Sequence, residues 1–304
     1  MLVLKTQRRA LAALAFAPDG RGLVAGGGAG VFWWSDLTAN PVPRHVEIDA
    51  VWSVGVTAGG NCVVASAQDG GVRVIGLTKP ATRTILRGVR GIQAAVSPAG
   101  PLIVTCPPLG QGPLTAWRVK AGLNPTPVWS ADNETALSHL MFTADGSWLV
   151  HGDYWWWTKK RRWASWVVVR DSATGGVVRS TEVADTEAWS RAAVSPDGKR
   201  LVILPTNRGQ FVVLWLGEGA PAPRRVARES TKDFTDVAFH PSGRLLAVTS
   251  NDGTVKLFDT ARWKVTETFE WGIGKPRRVA FSPDGSLAAL ATDTGQVVVW
   301  DLDL

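Results

Sequence analysis

The sequence predicts an all-β fold, a closed ring of seven four-stranded antiparallel blades in a single domain over residues 1–304. Three observations carry this. A turn motif recurs seven times. Short apolar runs flank every copy. An apolar segment at the start of the chain matches a strand that is missing at its end.

The motif is an apolar strand end, a polar turn and a glycine: FAPDG at 16–20, VTAGG at 56–60, VSPAG at 96–100, FTADG at 142–146, VSPDG at 194–198, FHPSG at 239–243 and FSPDG at 281–285. The closing glycines, Gly20, Gly60, Gly100, Gly146, Gly198, Gly243 and Gly285, are spaced 40, 40, 46, 52, 45 and 42 residues apart. A fixed period of this length marks a repeat architecture. Proline presets the turn and glycine accepts a positive φ. Val, Ile, Leu and Phe fill the runs around it, as pleated strands favour.

The last copy shows the four-strand unit. Arg278 to Ser282 is its first strand, Leu287 to Thr292 its second and Val297 to Asp301 its third. No sequence remains for a fourth, and Leu2, Val3 and Leu4 stand where Lys264 to Phe269 stand before the seventh copy. Leu2 to Lys5 are therefore expected to pair antiparallel with Val297 to Asp301 and close the ring, which protects strand edges. Five residues before each turn glycine the side chain is small (Ala15, Gly55, Ala95, Ala193, Ala238 and Ala280), with Met141 the exception. That fits a crowded innermost strand.

Third strands end in Trp300-Asp301 and Phe258-Asp259, and a tight Asn251-Asp252-Gly253-Thr254 turn precedes the latter strand. With the forty-residue period, the chain resembles the WD-repeat β-propeller family over nearly its whole length. The resemblance implies a seven-bladed β-propeller that acts as a protein-interaction scaffold. One departure stands out. The Gly-His dipeptide whose histidine ties a hydrogen-bond network to the tryptophan in that family is absent, and Trp-Asp occurs once. Blade packing is therefore expected to rest on apolar contacts.

Composition narrows the function. No run approaches 18 uninterrupted apolar residues, so no transmembrane helix is predicted. Lys5, Arg8 and Arg9 precede any long apolar run, unlike a secretory signal. With only Cys62 and Cys106 there is no disulfide framework, and both are expected to be buried. The expectation is a cytoplasmic chain without cofactor or metal. The Gly26-Gly27-Gly28-Ala29-Gly30 run precedes Val31-Phe32-Trp33-Trp34, a strand and not the helix of a phosphate loop. His45, His139, His151 and His240 show no metal-ligand spacing, and His240 is expected on the surface. No serine-nucleophile motif occurs. A non-enzymatic protein is expected.

Tryptophan is the unusual component, with 16 against one tyrosine. Trp34, Trp117, Trp215 and Trp300 end third strands and are expected in the core. Trp52, Trp189 and Trp271 lie where one blade hands over to the next. That places them on the face built from handover loops and second-to-third-strand turns, the face around the central channel that the family uses for partners. The fourth copy carries an extended hairpin insertion at 151–167. With its turn over Lys159 to Arg161, Trp157 would face Trp163 and Tyr154 would face Trp166. Trp155, Trp156, Trp157, Lys159, Lys160, Arg161, Arg162 and Trp163 then offer either a partner-binding arm or a self-docked flap.

Basic handover residues, Arg8, Arg9, Arg87, Arg90, Lys275, Arg277 and Arg278, form one sector. Asp132, Glu134, Asp185, Glu187, Glu229 and Asp233 form another. The expected function is binding of a partner protein or peptide through this face. Net charge is +7, and nucleic acid or another polyanion is the alternative partner. Oligomeric state is left open by these patterns.

Overall fold

Among the described residues, twenty-eight strands, β1 to β28 in chain order, form seven four-stranded antiparallel sheets in the computed structural model. Blade one is β2–β5 (residues 11–46), blade two β6–β9 (51–90), blade three β10–β13 (93–131), blade four β14–β17 (136–183), blade five β18–β21 (189–226) and blade six β22–β25 (234–270). Blade seven combines β26–β28 (276–301) with β1 (2–5). The structure describes every residue except 8, 39–40, 78–82, 91–92, 108–111, 120–124, 133–135, 158–161, 184–188, 206–208, 218, 220, 227–229, 231 and 303–304. For 83–90, 136, 138, 155–157 and 162–163 it describes the backbone alone.

The ring closes as expected. Leu2 pairs with Val299, Val3 with Val298, Leu4 with Val297 and Lys5 with Gln296. Leu4, Val297 and Val299 join Leu11, Leu23, Phe32 and Trp34 of blade one in a continuous apolar cluster. Similar clusters fill the other blade interfaces; Trp189 and Ile203 of blade five, for example, pack on Val150, Val167 and Val169 of blade four.

The turn glycines do the work that their motif implies. Six have φ between +67° and +79°, where a side chain would be strained. Gly100 is the exception, in the copy where Ala99 replaces the aspartate. Asp19, Asp145, Asp197 and Asp284 each accept the backbone N–H two residues on, which fastens the turn. At the small innermost position space is needed at Gly55, where a Cβ would sit 2.6 Å from Val96 of the next blade.

Trp34, Trp189, Trp300 and Trp33 are buried, and none of their indole N–H groups has a hydrogen-bond acceptor among the described residues. This agrees with packing through apolar contact. Two indoles keep partners: Trp117 donates to Thr105 at 2.9 Å and Trp129 to the Ser172 carbonyl at 2.8 Å. At blade six Ser230 bonds Ser250 at 2.8 Å and Asp252 at 2.6 Å, a hydroxyl and carboxylate network in the blade whose third strand carries Phe258 and no tryptophan. Both cysteines are buried as expected.

Two expectations are corrected. His240 is buried, not on the surface. It accepts the Ser242 backbone N–H at Nδ1 and donates from Nε2 to the Gly285 carbonyl at 3.0 Å, so it links blade six to blade seven. Its ring lies edge-on to Phe281. The hairpin forms from β15 (Trp148–Trp157) and β16 (Arg162–Asp171), but shifted by one residue. Trp156, not Trp157, pairs with Trp163, while Tyr154 pairs with Ser165 and Asp153 with Trp166. The connection is four residues, 158–161, where a three-residue turn was expected. One extra loop residue shifts every pair in the hairpin.

Candidate functional site: the channel mouth

Backbone hydrogen bonds define two faces. Gly28 N–H to the Ala10 carbonyl, Gln68 to Ala50, Asn251 to Asp233 and Asp293 to Lys275 tie the second-to-third-strand turns to the handover loops. Leu37 to Arg21, Leu77 to Asn61, Thr260 to Arg244 and, after β28, Leu302 to Ser286 tie the chain beyond the third strands to the turn motifs on the opposite face. Each innermost strand runs from the first face to the second.

Six of these strands share a local feature. Their pairing with the second strand shifts register between Leu11 and Ala13, Val51 and Ser53, Leu137 and His139, Trp189 and Arg191, Phe234 and Asp236, and Pro276 and Arg278. A bulge of this kind re-aims the side chains around it. The residue before it is buried: Leu11, Val51, Leu137, Trp189, Phe234 and Pro276. At Ala12, Ser190, Thr235 and Arg277 the residue within it is more open, and Trp52 is 50% exposed there.

In these six blades the residue after the bulge lies seven positions before the turn glycine, the position that Gln93 holds in blade three. Ala13, Ser53, Gln93, His139, Arg191, Asp236 and Arg278 thus form a ring, one per blade, and all seven line a channel cavity of about 960 Å³. Trp52 and Gln68 line it too, as do Ala15, Gly55, Ala95 and Met141. This volume lies in the range of small-ligand and side-chain pockets.

The ring is electrostatically organised. Arg191 Nε approaches Asp236 Oδ1 at 3.6 Å. Asp236 Oδ2 accepts the Val279 N–H of blade seven at 2.9 Å. Ser53 is used alike, with its Oγ 3.3 Å from the Ala94 N–H of blade three. Burial raises the Asp236 carboxyl to about 6, against the opposing pull of Arg191. Burial lowers the Arg191 guanidinium, and it holds His139 down to about 3 with Arg191 adding to the effect. His139 is therefore neutral near pH 7. Arg191 and Arg278 each donate to the carbonyl of the preceding residue.

The expected site residues separate. Trp52 stands at the channel mouth. Trp189 is 2% exposed and packs between blades four and five, so it is no surface anchor. It precedes its bulge where Trp52 sits inside one, a single-residue difference in phase. Trp271 is half-buried, stacked on Phe269 and 4.7 Å from the Trp300 ring. Arg9 and Lys275 are exposed on the loop face, with Arg9 donating to the Gly28 carbonyl. Arg277 is 3.7 Å from Asp293. Arg278 turns into the channel.

Arg90 lies in β9 opposite Gly71, Arg162 lies opposite Trp157 and Trp155 opposite Ala164; only their backbones are described. Arg8, Lys159, Lys160 and Arg161 lie outside the described residues, as do Glu134, Asp185, Glu187 and Glu229. Ser53, Gln93, His139, Arg191 and Asp236 were missed. Counting seven back from each turn glycine would have found them, because the motif already fixes the phase.

At the base of the insertion, His151 Nδ1 lies 2.8 Å from Asp153, and Arg170 Nε donates to His151 Nε2 at 3.0 Å. The nearby Cys106 thiol is pushed up to about 12 by burial, with the Asp153 charge adding. A thiol so held stays protonated and is a poor nucleophile.

Seven four-stranded blades, the turn motifs and the two bonded faces make this a seven-bladed β-propeller of WD-repeat type. The WD domain, G-beta repeat family matches residues 223–259, one of the seven units. Among relatives, transducin beta-like protein 3 of Bos taurus is 32% identical over 139 residues, covering 45% of this chain and 17% of the relative. Its Rattus norvegicus counterpart is 30% identical over the same length. Pre-mRNA-processing factor 19 homolog 2 of Arabidopsis thaliana is 33% identical over 116 residues, covering 36% of this chain and 22% of the relative. The chain thus spans less than a quarter of the length of these relatives.

Proposed function

We propose that this propeller is a non-catalytic scaffold that binds a segment of a partner protein through the loop face at the channel mouth. The observation that supports this most is the cavity of about 960 Å³ with Trp52 half-exposed at its rim and a polar ring within. Aromatic and arginine side chains beside a pocket are the strongest interface anchors. The exposed Arg9 and Lys275 and the net charge of +7 favour nucleic acid as the second reading. A name that speaks of pre-mRNA processing, for one relative, points the same way.

The test is site-directed photo-crosslinking in native lysate, with benzoyl-phenylalanine in place of Trp52 or, on the opposite face, Arg244. Protein adducts from position 52 that survive nuclease and are absent from position 244 are expected. Adducts from position 244 alone would overturn the assignment of the face, and nuclease-sensitive adducts would favour the second reading.

A further inference from the structure

We propose that Arg278 anchors an anion site in the channel that takes a carboxylate side chain from an acidic peptide segment. This rests on the loop-face function above and adds the chemistry of the partner. The argument starts from matched charges. Asp236 is committed on both oxygens, to Arg191 at 3.6 Å and to the Val279 N–H at 2.9 Å. Asp293, on the same blade as Arg278, is committed to Arg277 at 3.7 Å and to the Lys275 N–H at 2.8 Å. Arg278 meets only the Arg277 carbonyl and has no carboxylate partner among the described residues.

The rest of the ring leaves this charge uncompensated. His139 is neutral, and Ser53, Gln93 and Ala13 carry no charge. The channel is also a poor solvent for charge, as the raised Asp236 and lowered Arg191 show. A carboxylate entering there meets a guanidinium at reduced dielectric, where a charge-assisted pair is strongest. A cavity of about 960 Å³, lined in part by the small residues Ala15, Gly55 and Ala95, has room for side chains of a peptide and not for a duplex. Arg9 and Lys275, exposed on the same loop face, would attract further acidic residues of the same segment.

The experiment is fluorescence anisotropy of labelled hexaglutamate with the full chain at low salt, beside labelled hexaglutamine and hexauridylate. Hexaglutamate is expected to bind and hexaglutamine not. Arg278→Gln should weaken hexaglutamate about tenfold, the loss of one charge-assisted pair. Arg278→Lys should retain part of the affinity, and Arg277→Gln should change it less than twofold. Thermal melts within a few degrees of the parent establish that each variant is folded.

Equal losses in Arg277→Gln and Arg278→Gln would reduce the effect to surface charge and overturn the site. Unchanged binding in Arg278→Gln would overturn it too. Tighter, equally Arg278-dependent binding of hexauridylate would replace the acidic peptide by nucleic acid. If crosslinks from position 52 persist while Arg278→Gln has no effect, the anion site falls and the loop-face function stands.

Discussion

Closure of the ring by β1 sets a measurable difference between two adjacent residues. Leu4 is 4% exposed and packs with Leu11, Leu23, Val297 and Val299 across the junction of blades seven and one. Val3 points to the other side of the strand and is 37% exposed. Leu4→Ala removes three buried carbons and leaves a cavity among branched side chains, a change that costs about 2–4 kcal/mol. The strand can also detach, which caps the loss at the energy of docking β1. For a domain of this size each kcal/mol lowers the melting temperature by about 2 °C, so a fall of roughly 4–8 °C is expected. Val3→Ala should cost no more than about 0.5 kcal/mol. Differential scanning calorimetry of the two variants measures both. Equal shifts, or no shift for Leu4→Ala, would refute closure by this register.

Three further outcomes follow from the same contacts. Trp189→Ala should destabilise by about 3–5 kcal/mol in urea titration, and Trp52→Ala by less than about 1 kcal/mol, because only the first fills an interface. Gly285→Ala should cost about 2 kcal/mol in the same titration, since its φ is +79° and a Cβ would lie 2.5 Å from His240 Nε2. Gly60→Ala meets nothing within 4 Å and should cost less.

The third concerns pH. His139 is lowered in the fold, so its contribution is present above about 6.5 and lost as pH falls toward 3. Asp236 is raised, so its contribution grows as pH falls from about 6 toward 3.8. Relative to the parent, His139→Gln should gain about 2 kcal/mol between pH 7 and 4.5, and Asp236→Asn should lose about as much. Denaturant titrations at both pH values measure these differences, and changes of the same sign would contradict the two burial effects.

The fold was legible because its punctuation is local. Six of the seven turn glycines take a positive φ and four aspartates fasten their own turns, so the period shows in the sequence. The closing strand was legible for a similar reason, since Leu2 to Leu4 had no other strand to complete. The site was less so. Strand alternation assigns Trp52 and Trp189 by their distance from a loop, but a bulge between them and the channel changes the phase by one residue. That bulge buries one ring and opens the other. The hairpin register failed on one residue of loop length. His240 failed because a histidine in a serine's place was read as an exposed turn residue, while its second nitrogen reaches the carbonyl of Gly285. Ring membership could have been counted from the glycines, but the ion pair between Arg191 and Asp236 joins blades five and six, and only the packing of one blade on the next brings them together.

Hydrogen exchange of the full chain with and without saturating hexaglutamate tests most directly whether the channel mouth is the binding surface. Protection is expected in peptides covering 51–54, 190–193 and 277–280, with no change in the opposite-face turns at 196–200 and 241–244. Protection confined to those turns, or no protection at any inner strand, would contradict the account.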